Sequence, residues 1–252
     1  MRNDAVGDRV RAEKACPAEI ERRRPLFLPD PEEPSVSAGV PSASGAIAPR
    51  QPAFFGNFML AGASHVSTQV GRSFSGLRER LKDATSAAHR ALDTQLSAFD
   101  LGGRAGYRRF LQASAGALLP LEAALVEAGV ERMFPDWPER SRSAAIAVDL
   151  GRLGTRAAST VSVPRLTRSG VLGTMYVLEG SRLGAKFLLK TVTDAGDARV
   201  SEATTYLRHG AGKRLWQSFL VKLASEQLGD EDEIIDSARI AFDAFERAAD
   251  RA

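Results

Sequence analysis

The residues of this 252-residue chain whose types could do chemistry are three histidines, one cysteine and a strip of glycines. His65 lies in a Gly/Ser/Ala-rich stretch and reads as solvated. His209 sits beside Gly210 at a helix end, where a basic side chain suits the helix dipole. His89 falls mid-helix, at the border of an apolar stripe and in register with Thr85, Leu92 and Leu96. Two readings follow: a satisfied boundary histidine, or a neutral imidazole offered to a metal. The second oddity is GVLGTMYVLEGSRLGAKFLLK, residues 170–190, which puts Gly173, Gly180 and Gly184 on one helical face, widened by Ser181 and Ala185. Each interior glycine costs roughly 1 kcal/mol relative to alanine, so the strip needs a reason. Close helix packing is one, and a flat ligand against the backbone is the other. The segment is not a phosphate loop: GSRLGAKF lacks the spacing and the hydroxyl after the lysine, and it lies inside a helix.

The elements that must hold these residues are helical. Leu77, Leu81, Ala84, Ala88, Leu92 and Leu96 recur at three- and four-residue steps. Gly102 and Gly103 end that helix, and the next runs over 107–128, with Pro120 expected to kink it. Pro135 and Pro138 mark a loop before a third helix over 139–153. Pro164 precedes a long fourth helix over 166–192, followed by segments over 202–208, 213–228 and 231–249. Alternating Val/Ile/Thr runs are missing, so strands are not expected. Eight of the 12 prolines precede residue 53, which predicts a disordered, low-complexity extension over 1–72, with a short helix near 8–24. The expected architecture is one all-α domain over 73–252 behind that segment.

Composition excludes several classes. Apolar residues at 44% and charged residues at 26% are ordinary for a soluble domain. A lone cysteine, Cys16, rules out a disulfide framework and a Cys-rich zinc site, and it fits a reducing, cytoplasmic setting. It also lies in the proline-rich segment, which argues against a thiol-dependent enzyme on a similar fold. A formal net charge of +3 does not point to nucleic acid. The most apolar stretch, 113–130, is interrupted by Glu122 and Glu127, so no membrane span is expected. The first residues carry charges and no apolar core of a secretory signal, and Met59 would also serve as a start.

Taken together, the histidine helix and the glycine helix carry a resemblance. LRERLKDATSAAHRALD, residues 77–93, resembles the first helix of haem oxygenases, whose pattern ends in the histidine that ligates haem iron. YVLEGSRLGAKFL, residues 176–188, is similar to that family's Gly-rich distal helix, closest to the bacterial branch encoded beside bacteriophytochromes. YRRFLQASAGALLPLEAAL fits the second helix, and YLRHGAGKRLWQSF and AFDAFERAAD resemble the later Trp/Phe stretch and the closing helix. Five segments keep their order over about 73–250. Two departures stand out. Ala185 replaces the family's second glycine, and Ser181 stands where many eukaryotic relatives place an aspartate that orders distal water.

The resemblance implies a haem-oxygenase-like bundle with haem between the first and fourth helices, serving as cofactor and substrate. His89 would ligate the iron, with a partner for its other nitrogen that the sequence does not name. Gly180, Ser181 and Gly184 would form the catalytic distal face, while Arg182 and Lys186 point away. Lys82, Thr85 and Arg214 would complete the haem contacts, Lys82 and Arg214 (with Lys213) at the propionates. Tyr107 and Tyr206 are further candidates for the pocket. With O2 and external electrons the ring would open to biliverdin, carbon monoxide and ferrous iron. Electrons would come from a ferredoxin or flavin-linked reductase, and a phytochrome could receive the biliverdin. The rival on the same fold is a haem carrier or sensor without turnover, which Ala185 keeps open. A helical interaction module is the other rival, and it predicts no haem absorbance.

Overall fold

The computed structural model describes residues 71–225 and 230–252, with side chains from residue 76 onward. The regular elements among them are all helices: α1 (Gly71–Ser97), α2 (Arg104–Glu127), α3 (Val130–Met133), α4 (Trp137–Arg140), α5 (Ser143–Arg152), α6 (Arg168–Asp194), α7 (Ala198–Glu202), α8 (Thr205–Arg208), α9 (Leu215–Ser225) and α10 (Glu231–Asp250). The all-α class therefore stands. Of the expected extension, Gly71 and Arg72 belong to α1, and the rest, with Cys16 and His65, lies outside the described residues.

The long helices begin where their capping residues dictate. Thr167 caps α6, its Oγ1 accepting from Gly170 N at 3.0 Å. Asp230 caps α10, accepting from Asp232 N and Glu233 N, and Glu231, Asp232 and Glu233 fill the acid-favouring first turn. Arg80 of α1 pairs with Glu231 and Asp232, tying α1 to that same end.

α10 is the hub, packing on α6, α1 and α2. Its buried face steps through Ile234, Ile235, Ala238, Ala241, Phe242, Phe245 and Ala248. The alanines let α6 approach closely: a Cβ on Gly173 would stand 2.1 Å from the Ile234 carbonyl oxygen. Gly173 is thus a packing glycine. α2 runs unbroken through Pro120. By length and composition it could cross a membrane, but 67% of that stretch is buried against neighbouring helices, which makes it a core helix.

Two expectations are corrected. The helix expected over 139–153 is two, α4 and α5, separated at Ser141 and Arg142. The buried Glu122 carboxylate of α2 takes the donors at that break, a tertiary contact that periodicity cannot register. Lys213 and Arg214 precede α9 rather than lying inside a helix.

Candidate functional site

α1 brings His89 to a cavity of about 670 Å³, counted out to the solvent at its mouth. Leu92, Asp93 and Leu96 share this wall, as three- and four-residue steps along α1 require. α6 contributes Val177, Gly180, Ser181, Ala185 and Leu188, again one helical face. α10 supplies Phe242 and Phe245, α2 supplies Phe110 and Ser114, α8 supplies Tyr206 and Leu207, and Arg142 enters from the start of α5. Five helices and the residue that caps α5 converge on one mostly apolar space.

The imidazole is held. His89 Nδ1 lies 3.3 Å from Oδ2 of Asp93, one turn along α1, and Asp93 is only 4% exposed. Phe242 meets the ring edge-on, with centroids 5.6 Å apart. A buried carboxylate on one nitrogen and an aromatic edge on the face fix the ring's rotation. The sequence reading did not name Asp93, yet the i,i+4 spacing was visible.

Arg142 is the residue that sequence reasoning missed without a signal to find it. It is 3% exposed. Its Nη2 donates to the Leu178 carbonyl at 3.0 Å, and its Cζ stands 5.2 Å from the Tyr206 ring centroid. Its Nε has no hydrogen-bond partner among the described residues. Arg142 lines the cavity, and the positive charge of its buried guanidinium suits a polar or anionic group there.

The far side of α6 carries a separate polar cluster. Glu179, 1% exposed, pairs with Arg140 at 3.2 Å and with Arg182 at 3.0 Å. Arg182 also donates to the Arg140 carbonyl and bonds His209 Nδ1 at 3.2 Å. Arg140 continues to the Leu215 carbonyl and Ser218 Oγ. Arg182 therefore points away from the cavity, Lys186 is exposed, and α6 is anchored from behind to α4, α8 and α9. To serve as acceptor, His209 Nδ1 must be unprotonated. Burial first, and then the charges of Arg182 and Arg142, push its pKa below the ordinary imidazole value.

The expected site residues divide. His89, Gly180 and Ser181 meet at the cavity, joined by Ala185 and Tyr206. Gly184 is buried one turn on and off the wall. Thr85 is buried and off it too; its Oγ1 donates to the Leu81 carbonyl, and its side chain hydrogen-bonds Tyr176, whose hydroxyl burial pushes up to about 12. Tyr107 stacks on Phe110 and donates to the Ala203 carbonyl, a core role. Lys82 is half-buried on α1, off the wall. Arg214 is exposed, and Lys213 pairs with Glu139 at 2.7 Å.

Comparison with known proteins bears on this geometry. The family described as heme oxygenase matches residues 75–251. Heme oxygenase PigA of Pseudomonas aeruginosa is 30% identical over 178 residues, covering 68% of this chain and 89% of that protein. The NO- and CO-bound heme oxygenase from Neisseria meningitidis superposes with a TM-score of 0.59 at 24% identity, over 69% of this chain and 89% of that one. At that identity the superposition carries the fold.

Proposed function

The chain belongs to the haem oxygenase family, and we propose that it binds haem in the α1–α6 cavity and opens the ring to biliverdin, carbon monoxide and ferrous iron. The observation that carries this reading is that His89 and the small-residue face of α6 line one apolar cavity.

The residues fit the group. The cavity is open to solvent at its mouth and walled mostly by apolar side chains, as a site for a flat apolar ligand requires. Asp93 engages Nδ1, so iron ligation falls to Nε2, and the carboxylate makes that nitrogen a better donor. When bound, haem supplies the dioxygen chemistry and is also the substrate. Phe242 and Phe245 keep water from the histidine side. Gly180 leaves α6 backbone exposed on the wall, and Ser181 adds a hydroxyl that donates to the Leu178 carbonyl at 2.8 Å and can still accept. Arg142, on the lining, brings a positive charge to a polar group in the cavity. Lys82, two turns from His89 on α1, is the cation proposed for a propionate. Arg214, exposed just ahead of α9, is the second candidate; neither cation lines the cavity itself. The proposed electron donor is a ferredoxin or flavin-linked reductase, in the cytoplasm, with a phytochrome as a proposed acceptor of biliverdin.

The test is hemin titration followed by turnover in air with ascorbate, or with ferredoxin and its reductase. The expected result is a Soret band that is lost or displaced in His89→Ala, and that decays in wild type to the biliverdin spectrum. A stable Soret band with no decay would replace this reading with the carrier, and Ala185→Gly would then ask whether the methyl blocks turnover. No Soret band at all would remove both.

A further inference from the structure

Glu122 is a carboxylate buried in the middle of α2, 4% exposed, on an otherwise apolar face. Its Oε1 accepts from Arg142 N at 2.7 Å. Its Oε2 accepts from Ser141 Oγ at 2.5 Å, Ser143 Oγ at 2.6 Å and Ser143 N at 3.1 Å. All four donors come from three consecutive residues at the start of α5. That helix has no side-chain cap of its own, and its capping position is Arg142 itself. The negative charge sits where the dipole of α5 favours it, and the four donors replace the water the carboxylate lost. Helix α5 therefore begins where α2 dictates, and the residue pinned at that point is Arg142.

We infer that Glu122 is the positioning residue for Arg142, holding the first turn of α5 so that the guanidinium stays on the cavity wall. From that anchored backbone the Arg142 side chain reaches the Leu178 carbonyl, just ahead of Gly180, and lies over the Tyr206 ring. Its Nε has no hydrogen-bond partner among the described residues, and the residue lines the cavity. Ser141 and Ser143 flank it and have their hydroxyls committed to the same carboxylate, so this turn has little freedom to slide. A slide would carry Arg142 off the Leu178 carbonyl. Glu122 thus acts through Arg142 and does not itself line the cavity.

This inference rests on the proposed haem reading, and its test separates the two. Wild type, Glu122→Gln, Arg142→Gln and the double variant are loaded with hemin and reduced under carbon monoxide, and the C–O stretch is measured by infrared spectroscopy. A nearby cation draws electron density from the metal onto the ligand and lowers that frequency, so withdrawing it raises the frequency. Arg142→Gln is expected to raise the stretch. Glu122→Gln is expected to raise it in the same direction and to add nothing in the Arg142→Gln background. A purely structural Glu122 would lower the unfolding midpoint and leave the stretch at the wild-type value, which would overturn the inference. So would an equal shift in the presence and absence of Arg142, or an Arg142→Gln protein with an unshifted stretch. If Glu122→Gln does not fold, Ser141→Ala combined with Ser143→Ala removes two donors and keeps the backbone contacts. It should give a smaller shift in the same direction, and no shift would again overturn the inference. A wild-type protein without a Soret band removes the haem reading itself, whereas a normal Soret band with an unmoved stretch removes only the role of Glu122.

Discussion

Asp93 stands one helical turn beyond His89, with its Oδ2 3.3 Å from the imidazole Nδ1. Carboxylates so placed orient the ring and raise its basicity, and losing one costs a metal site about 10–100-fold in affinity. Asp93→Asn is therefore expected to raise the hemin dissociation constant by about that factor, read by Soret titration, while leaving the helix content unchanged. An unchanged dissociation constant would show that the Asp93 carboxylate is not what tunes the ring. Lys82 should matter less. A solvent-screened ion pair contributes about 0.2–1 kcal/mol, so Lys82→Ala should weaken hemin binding by no more than about fivefold. His89 was legible in the sequence; Asp93 was not named there, although its i,i+4 spacing places it on the same helical face. Arg142 was not legible, because nothing local distinguishes a buried arginine from an exposed one. Its aim is set by Glu122, 20 positions earlier in the chain.

At the scale of elements, the glycine strip of α6 shows what periodicity reports and what it omits. Gly173 and Gly180 were read on one face, and both are buried in the helix as expected. Their surroundings differ by height. At Gly173 the Ile234 carbonyl and Ala238 amide of α10 occupy the space a Cβ would need, whereas Gly180 lines the cavity. Gly173→Ala must then push two helix backbones apart, and overpacking of this kind costs about 1–3 kcal/mol. An unfolding free energy lowered by that amount, read by denaturant titration, is expected. Gly151 in α5 is the contrast: a Cβ there meets nothing within 4 Å, so Gly151→Ala should stabilise by up to about 1 kcal/mol. The link from α6 to α8 yields a pH prediction. His209 faces Arg182, Arg142 and Lys213, with Glu122 as the opposing charge, and its folded pKa lies below the ordinary value near 6.5. As pH falls below about 6.5 the unfolded chain takes up a proton that the folded chain refuses, so this residue makes stability fall with pH. His209→Gln keeps an acceptor for Arg182 without the titration. It should flatten the decline in unfolding free energy from pH 7 to below 6; an identical slope in both proteins would assign the decline to other groups.

The molecule as a whole makes the cavity a product of assembly. Its walls come from α1, α2, α6, α8 and α10 and from Arg142 just ahead of α5, and the last of these helices to be synthesised, α10, also packs on α6, α1 and α2. No subset of consecutive helices encloses the space, so the unfolded chain has no counterpart of the site. A ligand that binds only the assembled state stabilises it by about 2.7 kcal/mol at 100 times its dissociation constant. For a domain of this size each kcal/mol moves the midpoint by about 2–4 °C, so saturating hemin should raise Tm by about 5–10 °C. The same concentration should move His89→Ala far less, because the ligation that sets the affinity is gone. Phe245→Ala gives the complementary case. It opens a hole in the wall and in the α10 packing together, so the ligand-free Tm and the hemin-induced rise should both shrink. If hemin left the wild-type midpoint unmoved while still giving a Soret band, it would be binding a surface that survives unfolding. The converging helices would then have a purpose other than enclosing haem.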